Sequence, residues 1–200
     1  NENPAPLFFR GDAVVEAVYP VSDGRHCRLR LRKGAGSLYA VCFTVSPAQL
    51  PYQPGDRVDA ALSLSVYEGK NGPMLSGRVR ALRPAGMPDT VPHQAALFEA
   101  FLCGAALEPA QKALLRPGRE HIAALYRAIR QGGVFADDLR PLLVRLGAEN
   151  TGRTLAGLKA LEQLGLVETR QEGGAGRIAP VAVSGKKDLA AAPILKALEA

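Results

Sequence analysis

One short stretch alternates apolar and cationic side chains strictly: Arg25-His26-Cys27-Arg28-Leu29-Arg30-Leu31-Arg32-Lys33. Successive side chains of a β-strand point to opposite faces. Cys27, Leu29 and Leu31 are therefore predicted on one face of a strand, and the arginines are predicted on the other. This pattern is typical of a strand that packs one face into a core and exposes the other to solvent.

The arginine face has two interpretations. Alternate residues of a strand are roughly 7 Å apart, which is close to the phosphate spacing of an extended polynucleotide. A guanidinium group binds phosphate through two parallel hydrogen bonds, so the row is suited to a nucleic-acid backbone. The alternative is an ordinary solvated face, because the outer faces of small sheets are often charged.

Composition favours a soluble globular chain with an anionic partner. Of its 200 residues, 47% are hydrophobic and 22% are charged, and the formal net charge is +6. Residues 1–85 hold 11 Lys/Arg against 7 Asp/Glu, and residues 86–200 hold 14 against 12, so the first part is the more basic. No apolar run approaches the roughly 18 residues of a membrane span and no signal peptide opens the sequence, so we expect a cytoplasmic location.

Cysteine and histidine spacing does not favour a metal centre or a catalytic triad. The sequence contains three cysteines without a C-x-x-C pair, namely Cys27, Cys42 and Cys103. Each lies among apolar residues and is predicted to be a buried free thiol. The histidines are scattered, without Asp or Cys at ligand spacing, at His26, His93 and His121.

The first part of the chain has the element order of an OB-fold. Strands are predicted at residues 13–21, 25–33, 38–44, 57–67 and 74–82, with a short helical turn at 46–50. Five strands with a helical segment between the third and fourth match this small barrel, whose second and third strands form the usual binding face. The glycine clusters are predicted to be turns, because neither G-x-G-x-x-G nor G-x-x-x-x-G-K-[ST] occurs.

The second part changes to helical periodicity after a proline-rich boundary. We predict domains at residues 1–85 and 95–200, joined by a linker at 86–94. Helices are predicted at 95–102, 110–115, 119–131, 137–146, 151–164 and 188–198, with a hairpin at 166–171 and 177–183. Three helices followed by a hairpin favour a winged-helix-like domain. The predicted fold class is therefore mixed: an OB-fold barrel followed by an α-helical winged-helix-like domain.

The candidate nucleic-acid-binding residues are the cations and one aromatic residue of the predicted barrel, namely Arg28, Arg30, Arg32, Lys33, Tyr39, Lys70, Arg78 and Arg80. In this hypothesis the cations follow phosphates and Tyr39 stacks on a base. Tyr39 can equally be a partly buried surface tyrosine.

A possible second site lies in the predicted winged-helix-like domain. Its cations are Arg153, Lys159, Arg170 and Arg177. In this prediction Thr151 and Thr154 face outward beside Arg153, on a helix that would enter a groove of DNA. So few outward cations favour a structural or protein-docking role for this domain.

Several segments of the chain occur in the order found in one known family. In the first part they are Asn3-Pro4-Ala5-Pro6-Leu7-Phe8, His26-Cys27-Arg28-Leu29-Arg30-Leu31, Leu38-Tyr39-Ala40-Val41-Cys42-Phe43 and Gly55-Asp56-Arg57-Val58-Asp59. These resemble the OB domain of the bacterial single-strand-specific exonuclease RecJ. In the second part they are Pro117-Gly118-Arg119-Glu120 through Tyr126-Arg127, Leu161-Glu162-Gln163-Leu164-Gly165-Leu166-Val167 and Gly185-Lys186-Lys187-Asp188-Leu189. These resemble the extra C-terminal region of RecJ proteins from Gram-positive bacteria. Glu2 departs from the pattern, since a glycine commonly precedes the Asn-Pro pair.

The resemblance implies a non-catalytic piece of a larger nuclease. RecJ proteins are 5'-3' single-stranded-DNA exonucleases of repair and recombination, and they hold manganese or magnesium with DHH-type motifs in two N-terminal domains. No Asp-His-His occurs here, and two-metal hydrolysis needs such a ligand cluster. We therefore expect no cofactor in this chain, and Mn or Mg in catalytic domains that it lacks.

The partners implied by the resemblance are single-stranded DNA, the missing nuclease domains and, through the second domain, another repair protein. Two alternatives remain open. The first alternative is a protein-interaction scaffold with little DNA binding of its own. The second is a transcription regulator, a hypothesis that depends on the winged helix alone.

Overall fold

The computed structural model describes residues 6–69 and 72–199. The chain forms two units: the first contains the residues up to Gly86 together with Gly173–Ala175, and the second contains the other residues from Met87 onward. No helix in these ranges is long and apolar enough to cross a membrane. Residues 1–5, which include most of the predicted extended opening, lie outside the described part of the chain, as does Lys70.

The first unit is a closed barrel of five strands: β1 (Phe8–Val21), β2 (His26–Lys33), β3 (Gly36–Cys42), β4 (Arg57–Gly69) and β5 (Gly72–Pro84). The strand order around the barrel is β1-β2-β3-β5-β4, and β1 closes it by pairing with β4. Only the β3–β5 pair is parallel. A single 3-10 turn, Pro47–Gln49, lies between β3 and β4. The predicted five-stranded OB-like barrel is thus confirmed, although β1 begins earlier and β3 ends earlier than predicted.

Strand β2 carries the alternation that its sequence predicts. Cys27, Leu29 and Leu31 are completely buried, whereas the three arginines between and after them are exposed. The buried side chains of β2 belong to a core cluster that also contains Val15 of β1 and Val58 of β4. Because a strand presents every second residue to the same side, burial of one face leaves all three arginines outside.

We predict that Leu29→Ala destabilises the barrel by about 2–5 kcal/mol, because it leaves a cavity in a fully packed core. Leu75→Ala is the matched control, since Leu75 is half exposed, and it is expected to cost less than about 1 kcal/mol. Urea unfolding followed by tyrosine fluorescence measures both, since four of the five tyrosines lie in the barrel. Equal costs would contradict the assignment of Leu29 to the core.

The second unit contains six helices within the described residues: α1 (Thr90–Leu102), α2 (Pro109–Leu115), α3 (Arg119–Gln131), α4 (Arg140–Arg145), α5 (Thr151–Gln163) and α6 (Pro193–Glu199). A hairpin of β6 (Val167–Glu172) and β7 (Ala175–Pro180) follows α5. Helix α5 is the central element and packs against α1, α2, α3 and α6. Gly152 allows the close approach, because a Cβ atom there would lie 2.7 Å from the Leu115 side chain.

Three helices begin three or more residues away from the predicted position, and one of them is α4, which begins at Arg140 instead of residue 137. Helix α1 begins at Thr90, inside the predicted linker 86–94, because a proline in the first turn, Pro92, lacks only an N–H group that has no partner within the helix. The predicted final helix is divided into a 3-10 turn, Leu189–Ala191, and α6, which begins at Pro193. Proline favours the first helical turn, so it begins a new helix here.

The prediction of three buried thiols is wrong for Cys103. Cys27 and Cys42 are buried opposite each other in the β2–β3 pair, but Cys103 is exposed just after the last turn of α1. The buried face of α1 is formed by Val91, Leu97 and neighbouring residues, and a residue beyond the helix end is not covered by it.

We predict that a water-soluble thiol reagent modifies one cysteine per native chain and all three after denaturation. A colorimetric thiol titration with and without denaturant measures this, and Cys103→Ser is expected to abolish the native reaction. Rapid native modification of all three cysteines would contradict the burial of Cys27 and Cys42.

Candidate nucleic-acid interface

Cross-strand pairing aligns side chains on the outer face of the barrel. Tyr19 of β1 pairs with Arg28 of β2, Arg28 pairs with Val41 of β3, and Val41 pairs with Arg78 of β5. Neighbouring strands are about 4.8 Å apart, so Arg28 and Arg78 start roughly 10 Å from each other. Four adjacent strands thus present one aromatic residue and two cations in a single row.

Arg28 lies against two tyrosine rings. Its guanidinium carbon is 5.6 Å from the ring centroid of Tyr19 and 4.9 Å from that of Tyr39, and the two ring centroids are 6.4 Å apart. Both rings are partly accessible. A cation over a ring face is attracted by the ring's quadrupole, so the contacts orient Arg28 without neutralising its charge.

Phe43 is held in a similar way at the end of β3. The guanidinium carbon of Arg78 lies 4.7 Å from the Phe43 ring centroid, and the His26 ring makes an edge contact at 5.3 Å. His26 is itself fixed, because its Nδ1 accepts a hydrogen bond of 2.9 Å from the backbone N–H of Thr44. Phe43 remains 43% exposed, so one large aromatic surface faces solvent beside a cation.

Arg30 and Arg32 have a different environment from Arg28. A β-bulge in β1 leaves Glu16 without a cross-strand partner between Val15 and Ala17. The Glu16 carboxylate lies 3.0 Å from Nε of Arg30 and 2.8 Å from Nε of Arg32. Two of the three predicted arginines of β2 thus share one carboxylate.

Arg28 and Arg78 have no carboxylate partner among residues 6–69 and 72–199. Of the other predicted site residues, Lys33 donates a 2.7 Å hydrogen bond to the backbone oxygen of Gly11, and Arg80 donates a 3.0 Å bond to Oγ of Ser63. The predicted contribution of Lys70 falls outside the described residues.

Sequence reasoning missed three residues of this face, namely Glu16, Tyr19 and Phe43. Phe43 had a signal, since it follows Tyr39 at even spacing and even spacing keeps side chains on one face of a strand. Tyr19 required the register of the β1–β2 pair. Glu16 required the position of the bulge, and bulges redirect side chains in a way that simple alternation does not predict.

The β4–β5 hairpin carries a second exposed surface. Residues 66–69 and 72–75 pair only with each other among the described strands and thus form a two-stranded ribbon. Cross-strand pairs Val66–Leu75 and Tyr67–Met74 lie on opposite faces of this ribbon, and all four side chains are exposed. The ribbon is therefore apolar on both faces.

The candidate cations of the second unit all have partners. Ion pairs join Lys159 to Glu162 at 2.8 Å, Arg170 to Glu168 at 2.5 Å and Arg177 to Glu172 at 3.7 Å, and Arg153 donates a 3.0 Å hydrogen bond to Asn150. Arg177 also lies 4.6 Å from the ring centroid of Phe135. These contacts reduce the positive charge that this surface offers to a polyanion.

The prediction that Thr151 and Thr154 face outward is wrong. Both are buried, because α5 is enclosed by other helices. Thr151 donates a 2.7 Å hydrogen bond to the Ala148 carbonyl, and Thr154 shares a 2.9 Å bond with His121. Burial lowers the pKa of His121, and the nearby Arg153 charge lowers it further. This buried part of α5 cannot contact a nucleic acid.

No group of three His, Cys, Asp or Glu side chains that could hold a metal ion occurs within the described ranges.

Strand order, barrel closure and the helical turn before β4 are those of an OB-fold barrel. Residues 1–80 match the family model described as the RecJ OB domain. This stretch of the chain is therefore similar to the RecJ OB domain, which confirms the resemblance of the first domain. Residues 81–200 lie outside the match.

The other comparisons are distant. No curated protein matches the chain significantly. A chain of a replication protein A heterotrimer bound to ssDNA is similar at 14% identity and a TM-score of 0.30, covering 50% of this chain and 73% of that one. Asparaginyl-tRNA synthetase from Pyrococcus horikoshii is similar at 16% identity and a TM-score of 0.33, covering 62% of this chain and 31% of the synthetase. Values this low support no functional conclusion.

Proposed function

We propose that the barrel binds single-stranded DNA along the outer faces of β1, β2, β3 and β5. One observation carries the proposal: Arg28 and Arg78 lie on accessible aromatic rings and have no carboxylate partner among the described residues. Positive charge beside exposed rings is the arrangement that binds single strands without reading their sequence. The match to the RecJ OB domain supports the same function.

The proposed mechanism exchanges one contact for two. In the free protein each guanidinium covers part of a ring, at Tyr39 or at Phe43. When single-stranded DNA binds, a base stacks on the ring and the guanidinium turns to the adjacent phosphate. Stacking contributes about 1–3 kcal/mol per base and tolerates any base, because every base has a π face. The phosphate contact adds a charge-assisted hydrogen bond.

We propose that in the whole protein this barrel is a DNA-binding domain in the non-catalytic C-terminal part of a RecJ-like exonuclease that acts in repair and recombination. Manganese or magnesium would be bound in separate nuclease domains, which would be a further partner of this chain. The barrel would hold the single-stranded DNA while the nuclease domains degrade the 5' end of that DNA.

We predict that Arg28→Ala with Arg78→Ala lowers affinity for single-stranded DNA at least about tenfold for all sequences, because two phosphate contacts are lost. The slope of log K against log salt should fall by about 1.4, since each single-strand phosphate contact contributes about 0.7. Fluorescence anisotropy with labelled oligonucleotides at several salt concentrations measures both quantities.

Arg127→Ala with Arg130→Ala provides the control, because it removes the same charge from two exposed positions of α3. We expect this variant to bind within about twofold of the wild type, since only cations that meet phosphates release counterions. Equal losses in both double variants would mean that net charge, rather than the barrel face, determines binding.

For the second unit we propose a winged-helix-like, protein-docking role rather than DNA reading. The order of α3, α4, α5 and a β6–β7 hairpin supports the winged-helix-like part of this proposal. The observation that favours docking is the burial of α5, together with the pairing of its candidate cations. A helix that reads a DNA groove must present side chains to base edges, and Thr151 and Thr154 do not.

Accordingly, Arg153→Ala with Lys159→Ala is expected to change affinity for single-stranded and duplex DNA less than about twofold. Anisotropy titrations with both substrates test this. Tight duplex binding that is lost in the double variant would identify α5 as a DNA-reading helix and overturn the docking role.

A further inference from the structure

Glu16 is bound by three donors from two other strands. Nε of Arg30 and Nε of Arg32 lie 3.0 and 2.8 Å from its carboxylate oxygens, and Oγ of Ser37 donates a hydrogen bond of 3.1 Å. Two guanidinium groups and a hydroxyl around one anionic group are also a suitable donor set for a phosphate. The site is therefore an oxyanion site that the chain fills with its own carboxylate.

The position of this site connects it with the proposed stacking surface. Arg30 is the direct cross-strand partner of Tyr39. Directly opposite residues of an antiparallel pair have Cβ atoms about 5 Å apart. A base stacked on Tyr39 therefore brings its own phosphate close to Arg30, and that phosphate meets a guanidinium group already paired with Glu16.

Displacement of Glu16 by a phosphate is energetically accessible. The side chains of Arg30 and Arg32 are 44% and 45% exposed, and that of Glu16 is 26% exposed. Ion pairs that are open to solvent contribute little to stability, because water competes for both partners.

We infer that Glu16 is an internal competitor of nucleic acid, which occupies the phosphate site of Arg30 and Arg32 and sets the affinity and salt dependence of the barrel. This inference rests on the proposed function. When no DNA is bound, Glu16 reduces the electrostatic repulsion between Arg30 and Arg32. When single-stranded DNA binds, its phosphates replace the Glu16 carboxylate. The loss of the Glu16 ion pairs then offsets part of the free energy of DNA binding.

The test compares the wild-type chain with Glu16→Gln, which keeps the shape of the side chain and removes its charge. Glu68→Gln is the matched control, because Glu68 is an exposed glutamate of β4 without an ion pair among the described residues. Oligothymidylate binding is measured by anisotropy over a range of salt. Far-UV circular dichroism and thermal melting check that each variant is folded, and Glu16→Ala serves as a second variant.

We expect Glu16→Gln to bind about three- to tenfold more tightly at low salt, because the phosphates no longer have to displace a carboxylate from Arg30 and Arg32. Its salt slope should be steeper than that of the wild type, because no displaced carboxylate takes up cations as the phosphates release theirs. Glu68→Gln should stay within about twofold of the wild type. In a chain that also carries Arg30→Ala and Arg32→Ala, the effect of Glu16→Gln should disappear.

Unchanged or weaker binding by Glu16→Gln and Glu16→Ala overturns the inference, and so does an equal gain in Glu68→Gln. These outcomes leave the proposed function intact as long as the wild type binds oligothymidylate and loses affinity in the Arg28 and Arg78 double variant. A wild-type chain that binds no oligonucleotide overturns both.

Discussion

The strict alternation of β2 is the constraint on which the rest of the first unit depends. Leu29 and Leu31 are fully buried in the barrel core, and a strand cannot bury these residues without turning the intervening arginines outward. The pairing of β1 and β3 with β2 then fixes the neighbours of that outer face. The cationic face is thus a direct consequence of core packing.

Closely spaced guanidinium groups on one strand repel each other, and the structure relieves this repulsion in two ways. Arg30 and Arg32 share the Glu16 carboxylate, whereas Arg28 lies between two tyrosine rings. A carboxylate cancels charge, but a ring only orients it. The charge of Arg28 is therefore directly available to an anionic ligand, whereas a ligand of Arg30 and Arg32 must first displace Glu16.

The sequence predicts the barrel better than it predicts the site. Alternation in β2 and the turns around it depend on neighbouring residues, and both were correctly predicted. Glu16, in contrast, reaches the arginines through a bulge whose position depends on the pairing of β1 with β2. Glu16, Tyr19 and Phe43 thus belong to the site for reasons that lie in the tertiary structure.

The errors in the second unit have a similar origin. Thr151 and Thr154 were predicted outside on a helix that would enter a DNA groove, but the packing of α5 against other helices buries both, and each has a hydrogen-bond partner. Cys103 was predicted inside from its apolar neighbours, yet it lies just beyond the end of α1. In each case the exposure of the side chain depends on helix packing, which the local sequence does not predict.

The most direct test of the central claim is photo-crosslinking of the chain to oligothymidylate, followed by mass spectrometry of the crosslinked peptides. We expect crosslinks at Tyr19, Tyr39 or Phe43, because these rings lie beside the cations of the barrel face. Crosslinks confined to the β4–β5 ribbon or to residues 87–199 would contradict it.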